Sequence, residues 1–217
     1  MPSSDYYSGD FSLSVYSLRV LHCILVTQKA TLSHIEIYEI YSSGIDGFDL
    51  SDFDNLQSLW MSHDLTGTET ALVSNLIAPN LCTFDWDMAL EDQQCCVPLD
   101  GFSQPEEDWL RALATRAIKS RSALRHIRVH FTPDAYTGSC NRRTLQNQYP
   151  WDRMDTIAEE FLPHGIRLTY NAPNITRDEF FEVLKTSELE EDEYVRDSRG
   201  NGIHVRDSVT DEGDPSL

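Results

Sequence analysis

Four short segments of the chain share one hydrophobic pattern, in which a leucine is followed by two alternating apolar positions. They are Leu32-Ile35-Ile37, Leu56-Leu59-Met61, Leu81-Phe84-Trp86 and Leu124-Ile127-Val129. Alternation with a period of two is typical of a half-buried β-strand. The pattern therefore predicts strands at residues 33–38, 57–62, 82–87 and 125–130.

Helix-like stretches alternate with these segments. Apolar residues recur at the spacing of an amphipathic helix in four stretches, at residues 15–25, 68–76, 105–121 and 150–161. A fifth alternating segment, 166–170, follows the last stretch. Thr176 and Glu179 then have the spacing of a capping box, which predicts a terminal helix. This order of helices and strands is typical of α/β proteins with a parallel sheet.

The spacing of the four segments indicates a repeat. Their leucines are 24, 25 and 43 residues apart, and repeats of about 20–29 residues with one strand each are typical of leucine-rich-repeat proteins. Neighbouring units stack in such proteins, because one unit cannot bury its apolar face alone. We therefore predict an α/β fold, a short leucine-rich-repeat-like solenoid whose parallel strands pair in chain order and are backed by helices. A compact α/β domain is the alternative.

Three segments resemble the degenerate leucine-rich repeats of fungal F-box proteins. They are Phe53-Asp54-Asn55-Leu56-Gln57-Ser58-Leu59, Ala78-Pro79-Asn80-Leu81-Cys82-Thr83-Phe84-Asp85-Trp86 and Leu124-Arg125-His126-Ile127-Arg128-Val129. The resemblance extends over about residues 30–170, and no F-box is visible. It implies a non-enzymatic protein-interaction module that serves as the substrate-recognition part of an F-box-like ubiquitin-ligase subunit.

Charge is distributed unevenly along the chain. The net charge is −19, from 36 acidic and 17 basic residues, which argues against binding to nucleic acid or to an anionic membrane. Residues 109–153 nevertheless carry nine bases and two acids. This basic region favours a protein partner selected by charge complementarity, although an ordinary solvated surface would have the same composition.

The two ends of the chain differ from its centre. Residues 188–217 are acidic and contain few apolar residues, so burial cannot offset the entropy of ordering them. We predict an acidic disordered tail there and a disordered N-terminus at residues 1–12. The leucine-rich-repeat-like domain is then expected to span residues 13–187.

Location is predicted from the N-terminal segment and the cysteines. We recognise no secretory signal in the first residues, and the longest apolar stretch, 13–26, is shorter than the roughly 20 residues that cross a bilayer. The five cysteines are odd in number and lack the spacing of a zinc site. These features favour an intracellular protein of the cytoplasm or nucleus.

The predicted sheet places rows of polar side chains on its concave face, because alternate side chains point away from the helices. The central row is expected to run from Glu36 to Arg128, with Arg167 beyond. Trp60 is the best candidate for a binding anchor, since tryptophan and arginine dominate hot spots; the alternative is that it packs against a loop. The candidate binding residues are Glu36, Trp60, Asp85, Arg128, His130 and Arg167.

Motifs for catalysis or for binding a cofactor are not found. The chain lacks a GxSxG nucleophile elbow, a phosphate-binding glycine loop, an HExxH motif and a dinucleotide fingerprint. We therefore expect no catalytic residues, no cofactor and no metal. Two alternatives stay open. One is an accessory fragment without independent activity, and the other is an α/β enzyme with a site on the strand-end loops that uses His126, His130, Asp85 and Asp87.

Overall fold

A computed structural model describes residues 18–38, 45–88, 99, 101–133 and 148–185 of the 217-residue chain. The predicted disordered N-terminus, residues 1–12, and the predicted acidic tail, residues 188–217, lie outside the described residues.

Helices and strands alternate along the described chain. In order, they are α1 (Leu18–Val26), β1 (His34–Ile37), β2 (Ser58–Ser62), α2 (His63–Thr66), a 3₁₀ helix (Thr70–Leu76), β3 (Thr83–Asp87), α3 (Gln104–Ser120), β4 (His126–His130), α4 (Pro150–Phe161), a second 3₁₀ helix (Leu162–His164), β5 (Arg167–Tyr170) and α5 (residues 177–185). The five predicted strands are confirmed to within one residue at each end.

The segment between β2 and β3 is a 3₁₀ helix at Thr70–Leu76, where the apolar spacing predicted a longer helix from residue 68. Thr70, Val73 and Asn75 all have a lower α-helical propensity than alanine or leucine. A short 3₁₀ segment is the usual outcome for such a sequence in a connector.

The five strands form one parallel sheet in the order β1-β2-β3-β4-β5. Parallel pairing in chain order was the central prediction from the repeat spacing, and it is confirmed. The register is continuous across the sheet, so that residues 24, 25, 43 and 41 positions apart are partners in successive strands. The result is a mixed α/β fold in which helices back a parallel sheet.

The predicted position of Arg167 is wrong by one row. Arg167 is the partner of His126, and Thr169 is the partner of Arg128. The fifth unit has Gly165, with φ of 75°, at the register position where the other four units have a leucine. Without that leucine the sequence offers no anchor for the register of β5.

The core lies between the sheet and helices α3 and α4. Trp86 of β3 stacks on Trp109 of α3, with ring centroids 4.4 Å apart, and both side chains are fully buried. Of the four repeat leucines, Leu56, Leu81 and Leu124 are also buried, as their pattern predicted, and Leu32 is partly buried against the core. Full burial of each such side chain stabilises the fold by about 1.5–3 kcal/mol relative to exposure.

Helix α5 closes the β5 end of the core, with Phe180 and Leu184 buried. The predicted capping box is present, since the backbone N–H and the hydroxyl of Thr176 both donate to Glu179 Oε2, at 2.8 and 2.7 Å. Ile118 lies in the last turn of α3, and 40% of its side chain is exposed.

Helix α1 leaves part of its apolar surface uncovered. Val20, Ile24 and Val26 are 40%, 50% and 38% exposed, and β1 beside the helix is the first strand of the sheet. Within the described ranges, no helix combines the length and the apolar character that a transmembrane span requires.

Candidate functional site

The sheet face that points away from the helices is called the open face here, and it carries the side chains of residues 34, 36, 38, 58, 60, 62, 83, 85, 87, 126, 128, 130, 167 and 169. Most of these side chains are exposed or half-buried, as the alternation predicted. Asp85 is the exception at 1% exposure. A buried carboxylate requires compensation from its neighbours, and Asp85 is therefore the centre from which the site is built.

Asp85 of β3 is held by two basic side chains of β4. The guanidinium of Arg128 contacts both carboxylate oxygens, with Nε 2.6 Å from Oδ1 and Nη2 2.9 Å from Oδ2. Nε2 of His130 lies 3.2 Å from Oδ1. Burial by itself raises the pKa of Asp85, but the hydrogen bonds and charges of His130 and Arg128 outweigh it and hold the pKa below its ordinary value. Asp85 is therefore a buried anion that fixes two basic groups.

Trp60 of β2 is the register partner of Asp85 on the side of β3 opposite to β4. Its indole stacks on the imidazole of His130, with centroids 4.4 Å and planes 24° apart, and Tyr38 lies 5.9 Å away in a tilted arrangement. The indole Nε1 is buried and has no hydrogen-bond acceptor among the described residues. Trp60 is thus half-buried in a cluster of rings, whereas the sequence analysis expected an exposed anchor or packing against a loop.

Glu36 of β1 extends the polar surface beyond Trp60. Tyr38 donates its hydroxyl proton to Glu36 Oε2 at 2.6 Å, and Nε2 of His34 lies 2.5 Å from Oε1. These two hydrogen bonds hold the pKa of the exposed Glu36 carboxylate below its ordinary value. Sequence reasoning placed His34 and Tyr38 on this face, but alternation alone could not show that they fix the carboxylate.

His126 and Arg167 form the basic end of the open face. Nε2 of His126 lies 2.9 Å from the hydroxyl oxygen of Thr169. Burial and the positive charge of Arg128 lower the pKa of His126. The structure therefore brings Trp60, Asp85, Arg128 and His130 into one contact network, sets Glu36 at its acidic side, and leaves Arg167 in the neighbouring row.

The four residues of the alternative hypothesis, an α/β enzyme that uses His126, His130, Asp85 and Asp87, are only partly brought together. His130 contacts Asp85, while His126 contacts Thr169 and Asp87 pairs with His130 in the β3–β4 register. Both oxygens of Asp85 are engaged and the side chain is buried. A general base needs access to the proton that it removes, and Asp85 lacks that access here.

A second polar cluster, which sequence reasoning missed, lies where β2 ends. His63 of α2 is 3.4 Å from Glu106 of α3 and 3.8 Å from Asp64. Burial alone lowers the pKa of His63, but these two carboxylates outweigh it and raise the pKa to about 9. Glu106 also accepts hydrogen bonds from Ser103, in a capping box at the start of α3. The Ser-x-x-Glu spacing is a sequence signal for this cap.

Groups of three or more histidine, cysteine, aspartate or glutamate side chains placed to hold a metal ion do not occur among the described residues. No protein-family model matches the chain, and no curated protein and no solved structure is significantly similar to it. The functional proposal therefore depends on the geometry of the open face.

Proposed function

We propose that the chain is a non-enzymatic protein-interaction module, built as a short leucine-rich-repeat-like solenoid whose open face is the concave binding surface. The chain-ordered parallel strands and the 24- and 25-residue register spacings support this architecture. In this proposal the module is the substrate-recognition part of an F-box-like ubiquitin-ligase subunit and acts inside the cell. The resemblance of its repeats to those of fungal F-box proteins supports that role.

The observation that carries the proposal is the fixed cluster at the centre of the open face. Trp60, His130 and Arg128 are held in place by stacking and by the buried Asp85 carboxylate. Side chains that are ordered before binding lose less conformational entropy when a partner docks. An ordered tryptophan beside an ordered arginine is the composition of an interface hot spot.

The charge arrangement indicates how a partner is oriented. Glu36 lies at the β1 side of the cluster, and Arg128 and His126 lie at the β4 side. A partner segment that crosses the strands would place basic groups over β1 and acidic groups over β4 and β5. Charge complementarity of this kind fixes orientation and excludes other partners.

Quantitative affinity capture from cell extract tests the proposal. Wild type, Trp60→Ala and Arg128→Glu are compared with Lys185→Glu, a charge-matched control on the exposed face of α5. We expect both open-face variants to lose a common set of partners by about tenfold, as for the loss of a hot spot, while the control retains them. Circular dichroism shows that each variant is folded. Identical partner sets for all four proteins would contradict the proposal.

A second candidate, an accessory fragment without independent activity, is favoured by the exposed apolar side of α1. Val20 and Ile24 lie one helical turn apart and are 40% and 50% exposed. The double variant Val20→Glu/Ile24→Glu separates the two candidates. If partner capture depends on this surface and not on Trp60, the accessory role replaces the interaction role of the open face.

A further inference from the structure

Basic side chains without a carboxylate partner gather at one edge of the described structure. Arg121, Arg125 and Arg167 form no ion pair with any described residue, and neither do Arg19 and Arg116, whereas Arg111, Arg128, Arg153 and Arg177 are paired. The chain has 36 acidic residues against 17 basic ones, so carboxylates are the commoner neighbours. Unpaired arginines that lie close together leave their guanidinium groups available for the carboxylates of another molecule.

Two of these arginines, Arg121 and Arg125, line a groove at the amino ends of β4 and β5. The groove has a volume of about 210 Å³ and lies between the end of α3 and the 3₁₀ helix Leu162–His164. We call it the basic groove; it presents Arg121, Arg125 and His164 at its rim and Ile118, Leu124 and Ile166 among its apolar lining residues. None of the described residues that line it is acidic.

The position of the rim arginine Arg125 is set by the backbone around it. Arg125 Nη1 donates to the carbonyl oxygen of Leu124 at 2.7 Å, which folds the side chain back along the groove. The N–H of Arg167 donates to the carbonyl oxygen of Arg125 at 2.9 Å. Arg167 follows Ile166, which lines the basic groove, and is the partner of His126 at the basic end of the open face.

Arg121 occupies a backbone conformation that normally selects glycine. It ends α3 with φ of 54° and ψ of 37°, in the left-handed region. Glycine is the usual residue at this position, because a side chain there costs about 1–2 kcal/mol. Three other described residues with positive φ are all glycines. An arginine in this conformation at the rim of a basic groove is consistent with a role for its guanidinium in binding.

We propose that the basic groove is a second interaction site, which binds a short acidic peptide segment of a partner protein that carries one apolar side chain. The arginines at the rim bind the carboxylates through charge-assisted hydrogen bonds. The apolar side chain enters between Ile118, Leu124 and Ile166, which explains why Ile118 is 40% exposed on an otherwise buried helix face.

The size and charge of the groove favour this ligand over others. A volume of about 210 Å³ is below the roughly 300–1,000 Å³ of small-molecule sites and suits one side chain. A free phosphate would leave the apolar lining in contact with water. A nucleic acid is a long polyanion that the net charge of −19 repels, whereas a short peptide interacts with the groove alone.

Fluorescence anisotropy of a labelled probe peptide, with four glutamates on each side of one leucine, tests the proposal on the full chain. Arg125→Glu is expected to weaken binding by about tenfold or more, as for the loss and reversal of a charge-assisted contact. Arg121→Gly is expected to weaken binding while its thermal unfolding midpoint stays equal to or above that of the wild type. Lys185→Glu matches the charge change of Arg125→Glu and should bind like wild type.

Three further measurements identify the site and the ligand class. Trp60→Ala should leave peptide binding unchanged, so that failure of the open-face proposal and failure of this one are distinguishable. A peptide with serine in place of leucine should bind less tightly. The proposal is overturned if wild type does not bind the probe, if Arg121→Gly and Arg125→Glu bind like wild type, if the serine peptide binds equally, or if a single-stranded oligothymidylate of equal charge binds more tightly than the peptide.

Discussion

Trp60 of β2 stacks on His130 of β4 across the strand that separates them, with ring centroids 4.4 Å apart. The two rings meet above β3 and close over Asp85, which is 1% exposed. The stack therefore shields the Asp85 carboxylate from water, and its attraction to Arg128 is stronger where water is excluded. One aromatic contact thus couples packing to electrostatics at the centre of the open face.

The energy of this stack can be measured with a double-mutant cycle on Trp60→Ala and His130→Ala. A stacked ring pair contributes about 0.5–1.5 kcal/mol beyond its area burial, so we expect a coupling energy of that size in urea unfolding. Tyr38→Ala, combined with His130→Ala, is the matched control, because Tyr38 contacts Trp60 in the same ring cluster. A coupling energy near zero for the Trp60 pair would contradict the stack.

Substituting Arg128 should cost more unfolding free energy than substituting its partner Asp85. Arg128→Met leaves a buried carboxylate with only His130 beside it, which we expect to cost about 3 kcal/mol of unfolding free energy. Asp85→Asn leaves Arg128, whose side chain is 46% exposed, free to be hydrated, so the expected cost is about 1 kcal/mol. Urea denaturation at neutral pH measures both. Equal costs would show that the pair acts as a surface ion pair.

The same pair predicts a difference in acid stability. The pKa of Asp85 is lowered in the folded protein, so its contribution is present above the unfolded pKa and is lost as pH falls through the folded pKa. In Arg128→Met the folded pKa rises, and acid unfolding should begin at a higher pH than in wild type. Asp85→Asn removes this titration and serves as the control. Acid transitions followed by circular dichroism provide the measurement.

The strands and their order could be predicted from sequence because the signal is local and repeated. Leu56, Leu81 and Leu124 mark the start of each unit, and the alternation that follows assigns each side chain to a face. The prediction was wrong for the row of Arg167, where Gly165 takes the place of the leucine. Register in the fifth unit is set by packing against α4, which no short sequence pattern contains.

The sequence could predict on which face of the sheet the candidate site residues lie, but not which of them are buried or which side chains they contact. Alternation placed Asp85 on the open face, but its burial depends on Trp60 and His130, which lie 25 residues before it and 45 after it in the sequence. The pair of the half-buried His63 and the buried Glu106 was missed for the same reason, since these residues come together only when α3 packs. Long-range contacts of titratable groups require the fold.

His63 predicts that stability falls as pH rises above neutrality. Its pKa is raised from 6.5 to about 9 in the folded protein. Its contribution is therefore complete below pH 6.5 and is lost as pH rises through 9, with an upper limit of about 3 kcal/mol. Unfolding free energies at pH 6.5 and pH 9.5 should differ by up to that amount in wild type.

Two variants isolate the contribution of His63. His63→Gln cannot be protonated, and Glu106→Gln removes one of the two carboxylates that raise the pKa. We expect the loss of stability between pH 6.5 and pH 9.5 to disappear in the first variant and to shrink in the second. A loss of the same size in His63→Gln as in wild type would assign the pH dependence to another group.

Breaking the buried ion pair of Glu107 and Arg153 should cost more unfolding free energy than breaking an exposed ion pair of the same helix, α4. Both side chains are buried, at 6% exposure each, and the pair joins α3 to α4. Arg153→Met leaves the buried Glu107 paired only with Arg111, at 2.7 Å, which we expect to cost up to about 3 kcal/mol. Arg177→Met breaks an ion pair between α5 and Asp152 of α4, in which the arginine is 57% exposed, and should cost less than about 1 kcal/mol.

The double variant Glu107→Leu/Arg153→Met tests why Arg153→Met loses stability: because a carboxylate is left desolvated, or because the ion pair between α3 and α4 is lost. If the cost of Arg153→Met comes from a buried carboxylate, replacing both charges by apolar side chains should recover part of the lost stability, because neither charge is then desolvated. Urea denaturation of the single and double variants measures the difference. A double variant that is less stable than Arg153→Met would instead show that the ion pair itself holds α3 against α4.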